Sequence, residues 1–224
     1  MALKKDIITA VLGMLVLTLL CGILYPLVIT GVSQVAFPGN ANGQQVHVAG
    51  KLVGSKLIGQ NFGHIVANPR TGKPKLDSAG NPVTTPDPQY FQTRPSGTAP
   101  ADNAAGSAFA NYGPNGVVTE QAIAANIAAY IQLNGRYYPG GLTAAKIPVD
   151  AADTSASGID PDISVANADI QAHRIGVVRH LPLRQVDRLV STYTGGRGLG
   201  FSGEPTVNVL ELNLALDRVS GPGR

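Results

Sequence analysis

IITAVLGMLVLTLLCGILYPLVIT, from Ile7 to Thr30, decides the architecture of this chain, because no charged residue appears between Asp6 and Lys51. Leu, Ile and Val dominate the stretch, with small residues set between them. At 1.5 Å of rise per residue, a helix of about 24 residues extends roughly 36 Å, enough to cross a hydrocarbon core of about 30 Å with some tilt. Roughly 14 branched apolar residues, each favouring insertion by about 0.3 to 0.6 kcal/mol, give an estimated 4 to 8 kcal/mol in favour of the bilayer. The sequence therefore predicts a transmembrane anchor over residues 1–33.

Lys4 and Lys5 precede the span, and no Lys or Arg follows it until Lys51. By the bias of positive charge, the N-terminus stays in the cytoplasm and the bulk of the chain lies outside. A cleaved export signal shares the Lys-then-apolar pattern. Its apolar region is shorter, and it ends at a small-x-small site that is not evident after Thr30-Gly31-Val32. Residues 34–224 are enough for one domain with its own core. The sole cysteine, Cys21, lies in the span, so that domain has no internal disulfide and is held by burial. A net charge of +3 with scattered Lys and Arg, 5% aromatic residues and no Trp disfavours nucleic acid as a partner.

Along the outer part, Val46-His47-Val48 and Leu52-Val53 flank Ala49-Gly50 as a short hairpin. From Gly63 to Pro88 the chain carries Pro69, Pro74, Pro82, Pro86 and Pro88 among Gly and Asn, and reads as a mobile surface insertion. A second loop runs from Pro95 to Gly116. Thr119 is read as the N-cap of a helix carrying Ile123, Ile127, Tyr130 and Ile131 and stopped at Gly135. A second helix follows Ser164 to about His180, and Pro182 opens a third with Leu183, Val186, Leu189 and Val190 on one face. Thr206 to Leu214 alternates so that Leu210, Leu212 and Leu214 share a strand face. The fold class is α+β: one transmembrane helix, then a single extracytoplasmic domain of mixed helices and a small sheet.

Two motifs mislead. Gly198-x-Gly200-x-x-Gly203 spells a dinucleotide fingerprint, but Glu204-Pro205 leads it into a strand instead of a helix, so the glycines read as turn residues. His173 and His180 would share one face of an unbroken helix, yet no Cys or carboxylate cluster joins them as metal ligands. No phosphate loop and no nucleophile elbow is present, so catalytic residues and metal ligands are both read as none. In the span, Gly13 and Gly22 offer close approach to other membrane helices. Tyr25-Pro26 is expected to interrupt the helix, and with the two glycines it marks the surface that contacts partners.

At Tyr25-Pro26-Leu27 and Gly54-Ser55-Lys56-Leu57-Ile58-Gly59-Gln60-Asn61-Phe62 the sequence resembles the C subunit of the bacterial and archaeal Kdp potassium-transporting P-type ATPase. Tyr90-Phe91, Arg94-Pro95-Ser96, Gly113-Pro114-Asn115, Pro148-Val149-Asp150, Ser155-Ala156-Ser157-Gly158-Ile159-Asp160, Gln171 with Arg174, Gly203-Glu204-Pro205 and Val207 to Asp217 follow in family order. The resemblance covers nearly the whole chain. It departs from the family at Gly63 to Pro88, which is longer than the usual connection, and at Asp153 and Thr154.

The resemblance implies a non-catalytic accessory subunit of an ATP-driven, high-affinity potassium uptake pump in the bacterial inner membrane. Its implied partners are a channel-like translocating subunit, a P-type ATPase subunit, a small single-span subunit and membrane lipid. It further implies assembly support and a role as catalytic chaperone raising the ATPase subunit's affinity for ATP, with Ser155, Ser157, Gly158 and Gln171 as nucleotide contacts. No covalently bound cofactor is implied, and ATP would be met through the partner. Lys4 and Lys5 put those residues outside while ATP is inside, so direct contact requires an inverted orientation or another route. Without the resemblance, the residues also suit a membrane-anchored extracytoplasmic module that holds a small ligand.

Overall fold

The computed structural model describes residues 2–98, 101–106, 113, 115–198 and 200–223. Much of the loop before Val117, with Pro114 of the Gly-Pro-Asn motif and Leu199 of the glycine motif, lies outside these residues. The chain divides into two units, Met1–Val53 and Gly54–Arg224.

The first unit is dominated by one apolar helical rod that satisfies span criteria from Leu3 to Ala36, a length of 34 residues. It comprises α1 (Ala2–Leu19), a π-helical turn (Leu20–Leu24) and α2 (Tyr25–Ala36). The interruption expected at Tyr25-Pro26 takes the form of that π-helical turn, without a break in the rod. Leu24 and Tyr25 keep right-handed helical dihedrals, and the Tyr25 N–H reaches back five residues to the Leu20 carbonyl. A wider turn placed just before Pro26 absorbs the missing N–H and the crowding of the ring without ending the helix. Phe37, at φ −138°, ends α2 before α3 (Pro38–Ala41).

A hairpin of β1 (Gln45–Val48) and β2 (Lys51–Ser55) follows as predicted. Ala49 at φ 51° and Gly50 at φ 79° both take the left-handed region that a tight hairpin turn needs.

In the second unit, the Gly63 to Pro88 segment is more regular than its composition predicts. β3 (Gly63–Ile65) pairs antiparallel with β4 (Thr84–Pro86), and bridges Ala67↔Pro74 and Leu76↔Pro82 continue the ribbon outward. Asp77 closes its tip, its Oδ1 accepting the N–H groups of Ala79 and Asn81 at 2.9 and 2.8 Å. Pairing settles the backbone groups of a segment that buries almost no side chain.

Helix α4 (Val117–Asn134) starts two residues before the predicted cap. Gly116 is the N-cap, while Thr119, already inside the first turn, donates from Oγ1 to the Gly113 carbonyl at 2.9 Å. A 3₁₀ turn (Ala144–Lys146) and α5 (Val149–Ala152) lead to β5 (Asp162–Ser164). α6 (Val165–Val178) is capped by Ser164, whose side chain accepts the Asn167 N–H. α7 (Leu183–Thr192) begins after Pro182 as predicted.

β6 (Thr194–Gly195), β7 (Thr206–Asn208) and α8 (Val209–Ser220) complete the unit. The strand predicted from Thr206 to Leu214 is therefore only three residues long, and the rest is helix. Asn208 turns the chain by accepting the Glu211 N–H on its side chain, and Val209, Leu212 and Leu216 then fall on one buried face at helical spacing. The sheet runs β5-β7-β6, all antiparallel, with Ile163 opposite Val207. Ile163, Ala168, Ala172, Ile175, Val186, Val190, Val207, Leu212, Leu216 and Phe91 form the core between this sheet and α6, α7 and α8.

The end of α6 carries a testable strain. The Leu181 N–H reaches the Gly176 carbonyl and the His180 N–H the Val177 carbonyl, a Schellman closure with His180 at φ 54° in the position glycine prefers. His180→Gly is expected to raise stability by about 1 kcal/mol, seen as a higher urea midpoint with unchanged slope. The same geometry takes His180 out of the helix. His173 instead packs edge-on against Tyr138, with ring centroids 5.2 Å apart. No metal-binding cluster is present among the described residues.

Candidate functional site

Asn167, Gln171 and Arg174 recur at helical spacing on α6 and are all fully buried. Gln171 and Arg174 hold the chain from Pro88 to Gln92, and Asn167 braces Gln171 by accepting its Nε2–H at 2.9 Å. Gln171 Oε1 accepts the Gln92 N–H at 2.8 Å, and its Nε2 donates to the Gln92 carbonyl at 3.0 Å. One residue earlier, Asn213 of α8 does the same for Phe91, at 2.9 Å in both directions. Two side-chain amides thus stand in for neighbouring strands, holding Phe91 in the core without a sheet.

Arg174 spends its guanidinium on neutral oxygens: Asn134 Oδ1 at 2.9 Å, Gln171 Oε1 at 2.9 Å, the Tyr90 carbonyl at 3.0 Å and the Pro88 carbonyl. Burial without a carboxylate partner pushes it down to about 10, so it remains charged at neutral pH. Tyr130 donates to Asn167 Oδ1 at 2.8 Å, and burial pushes its hydroxyl above the usual tyrosine range. A second latch binds the chain end. Arg179 lies over the Tyr90 ring and pairs with Asp217 at 2.9 Å, while the Tyr90 hydroxyl donates to Asp217 and accepts the Gly223 N–H at 2.9 Å.

The residues proposed for nucleotide contact are not gathered into one open cleft. Ser155 and Ser157 bond each other, Oγ to Oγ at 3.0 Å, and Ser155 Oγ accepts the Gly158 N–H while Ser157 Oγ accepts that of Ile159. Gly158, at φ 71°, offers its carbonyl to the Ser96 hydroxyl and the Gly97 N–H, each at 2.9 Å. The segment is a self-bonded Ser turn. Gln171 lies deeper. Besides its bonds to Gln92 it donates to Asn167 and accepts from Arg174, so both ends of its amide are committed.

Neither group lines the cavity of about 270 Å³ beside α4, but two residues they hold, Gln92 and Ser96, are on its wall with Arg94, Asp102 and Tyr130. Arg174, Asn213 and Asn134, which set this arrangement, were not singled out as site residues in the sequence. Arg174, three residues after Gln171, carried the one usable signal, a third polar residue at helical spacing after Asn167 and Gln171.

Burial pushes the Asp102 carboxyl up, against hydrogen bonds from Thr93 and Ser96 that lower it. The native state then holds a proton that the unfolded chain has released, and stability falls as pH rises from about 4 through the raised value. Asp102→Asn removes that loss. The melting temperature of the variant is expected to gain on the parent as pH rises above about 4 and to level off once the raised value is passed, and a constant gap would refute the assignment.

In the first unit, Gly13 and Gly22 share one groove with Ala10, Met14, Leu17, Thr18 and Cys21. Tyr25, 64% exposed, and Pro26 are not part of its lining. The glycine motif near the end is a turn: Gly198 pairs with Ser202, and Gly200 and Gly203 have positive φ.

The family model for the K⁺-transporting ATPase c chain, KdpC, matches residues 7–218. A potassium-transporting ATPase KdpC subunit of Methylococcus capsulatus is 44% identical over 209 residues, 93% of this chain and 95% of that one. The protein of the same name from Mycobacterium tuberculosis is 39% identical over 217 residues, covering 97% of this chain and 100% of that one. That of Methylobacterium nodulans is 44% identical over 214 residues, 95% and 96% of the two chains. The match begins inside the apolar helix and ends within α8, with the buried Gln171 and Arg174 network between, and the chain accordingly belongs to the KdpC family of K⁺-transporting ATPase subunits.

Proposed function

We propose that this chain is a non-catalytic accessory subunit of an ATP-driven potassium uptake pump, anchored once in the inner membrane with residues 34–224 outside. The observation that carries this reading is that the family match includes the apolar helix as well as the α+β unit, so anchor and outer unit act as one inherited device. The channel-like translocating subunit, the P-type ATPase subunit and the small single-span subunit are its proposed partners. The groove through Gly13 and Gly22 is the proposed contact for them within the bilayer. Support of assembly and a raised ATP affinity of the ATPase subunit follow as proposed effects. Because the Gln171 amide is fully engaged, we assign the second effect to contact between subunits rather than to nucleotide held by Ser155, Ser157, Gly158 and Gln171.

Orientation is tested with Ser78→Cys, at the exposed ribbon tip, in a Cys21→Ser background. Intact spheroplasts are expected to label fully with a membrane-impermeant thiol reagent. Labelling only after the membrane is opened would place the unit in the cytoplasm and reopen direct nucleotide contact.

A further inference from the structure

Strand register sorts the side chains from Gly63 to Pro86 into two unlike faces. Val66, Lys75 and Val83 close a ring of backbone bonds: the Val66 N–H reaches the Val83 carbonyl and the Val83 N–H that of Lys75, each at 2.8 Å, and the Lys75 N–H returns to Val66 at 2.7 Å. Three short arms meet there. Residues paired directly across strands share a face, as do residues two apart along one strand. The pairs Ile65↔Thr84, Ala67↔Pro74 and Leu76↔Pro82 therefore put Ile65, Ala67, Pro74, Leu76 and Pro82 on one side. All five are exposed, Ile65 by 56% and Leu76 by 54%. His64, Lys73 and Lys75, out of step with them by one residue, fall on the other side. Charge follows the same division. The segment holds three exposed cations, Arg70, Lys73 and Lys75, against the single carboxylate of Asp77, which is occupied by the N–H groups of its own turn. An apolar face kept in contact with solvent, with cations held to the opposite face, is the pattern of an element that lies in a membrane interface.

We propose that this ribbon lies on an anionic bilayer surface, its five apolar side chains turned toward the acyl boundary and Arg70, Lys73 and Lys75 against lipid phosphates. Long cationic side chains reach from the far side of a thin element back to the headgroup level while their carbon stems stay on apolar surface. Charge complementarity favours anionic lipid, since the segment carries a net +2 with His64 neutral. The face also suits lipid better than a protein partner. It is built of aliphatic residues and prolines, without the aromatic or arginine anchors that carry binding energy between proteins. The inference rests on the reading of the first helix as a membrane span. Gly63 follows Ala36, the end of that helix, by 27 positions, so the covalent chain holds the ribbon within roughly 90 Å of the bilayer even at full extension. Tethering makes a weak surface attraction intramolecular, and a modest face then suffices.

The chain has no tryptophan, so Leu76→Trp reports the apolar face and Thr85→Trp, opposite His64, the basic one. The full chain is to be placed in nanodiscs of phosphatidylcholine, alone or mixed with phosphatidylglycerol, and followed by emission maximum and by quenching from brominated acyl chains. Such discs carry the same lipid on both faces, so the result does not depend on which side of the membrane the second unit occupies. In the anionic discs the Leu76→Trp reporter is expected to shift to the blue and to be quenched more than the Thr85→Trp reporter. Both signals should fall in phosphatidylcholine alone and at about 1 M salt, where the Debye length is about 3 Å. Each cation near an anionic surface is worth about fivefold, so the combined change Arg70→Gln, Lys73→Gln and Lys75→Gln is expected to lower the ratio of bound to free ribbon at least about tenfold. Equal quenching in the two lipids, equal quenching of the two reporters, or an unchanged ratio in the triple variant would each overturn the proposal. A blue shift without lipid quenching would also overturn it, since another copy of the chain would then cover the face. A chain that does not stay with the discs would remove the span reading and this inference together, whereas absent quenching in a retained chain removes the inference alone.

Discussion

Arg174→Met is expected to lower the stability of the second unit by about 3 to 5 kcal/mol, the largest effect of any single substitution considered for this chain. Methionine fills much of the space, so the loss is not chiefly a cavity. It arises because the buried Asn134 Oδ1 and Gln171 Oε1 and the carbonyls of the half-buried Pro88 and Tyr90 lose their common donor. Arg174→Lys is expected to recover little. An ammonium is a point donor and cannot span oxygens on three separate segments as the planar fork does. Denaturant unfolding of the full chain in detergent, followed by tyrosine fluorescence, reads both. If Arg174→Met costs less than about 1 kcal/mol, the network is a passenger on a core that stands without it.

The second large effect concerns the pump. Replacing Ile7 to Thr30 with a regular Leu/Ala helix is expected to preserve insertion and orientation, since length and hydrophobicity are kept. Association with the ATPase and translocating subunits should nevertheless fall severalfold, seen as reduced co-purification and lost growth on limiting potassium. The replacement fills the groove at Gly13 and Gly22 and removes the π turn. The π turn before Pro26 gives the helix a local shape that a regular Leu/Ala helix does not reproduce. Full assembly and growth with the replaced helix would show the span to be a tether only.

Most of the fold was legible where a single local cause decides it. The span needs only length without charge. α6 announces itself by Ser164 and α7 by Pro182, each a local backbone constraint. The misread of Thr206 to Leu214 is instructive, because leucines two apart fit a strand while the buried set, Val209, Leu212 and Leu216, extends past the window and fits a helix. Asn208 followed three residues later by Glu211 was the available start signal. The Gly63 to Pro88 ribbon was hidden because Pro and Gly report local bends and say nothing of which segment pairs with which. Gln171 was legible as a residue and not as a site. Its partners on Gln92 lie 79 positions away, a distance no local pattern encodes.

The Asn213 amide on Phe91 has a consequence in time. The two residues are 122 positions apart, so the segment that enters the core cannot be held in place until nearly the end of the chain exists. At a synthesis rate of about 5 to 20 residues per second, Phe91 waits roughly 6 to 24 s for its partner, far longer than local helices need to form. Throughout that interval its ring is exposed on a chain whose anchor has already been made. The ribosome therefore delivers an unfinished protein, which closes only after its last helix is released, and any truncation before α8 leaves the apolar surface open to aggregation and proteolysis.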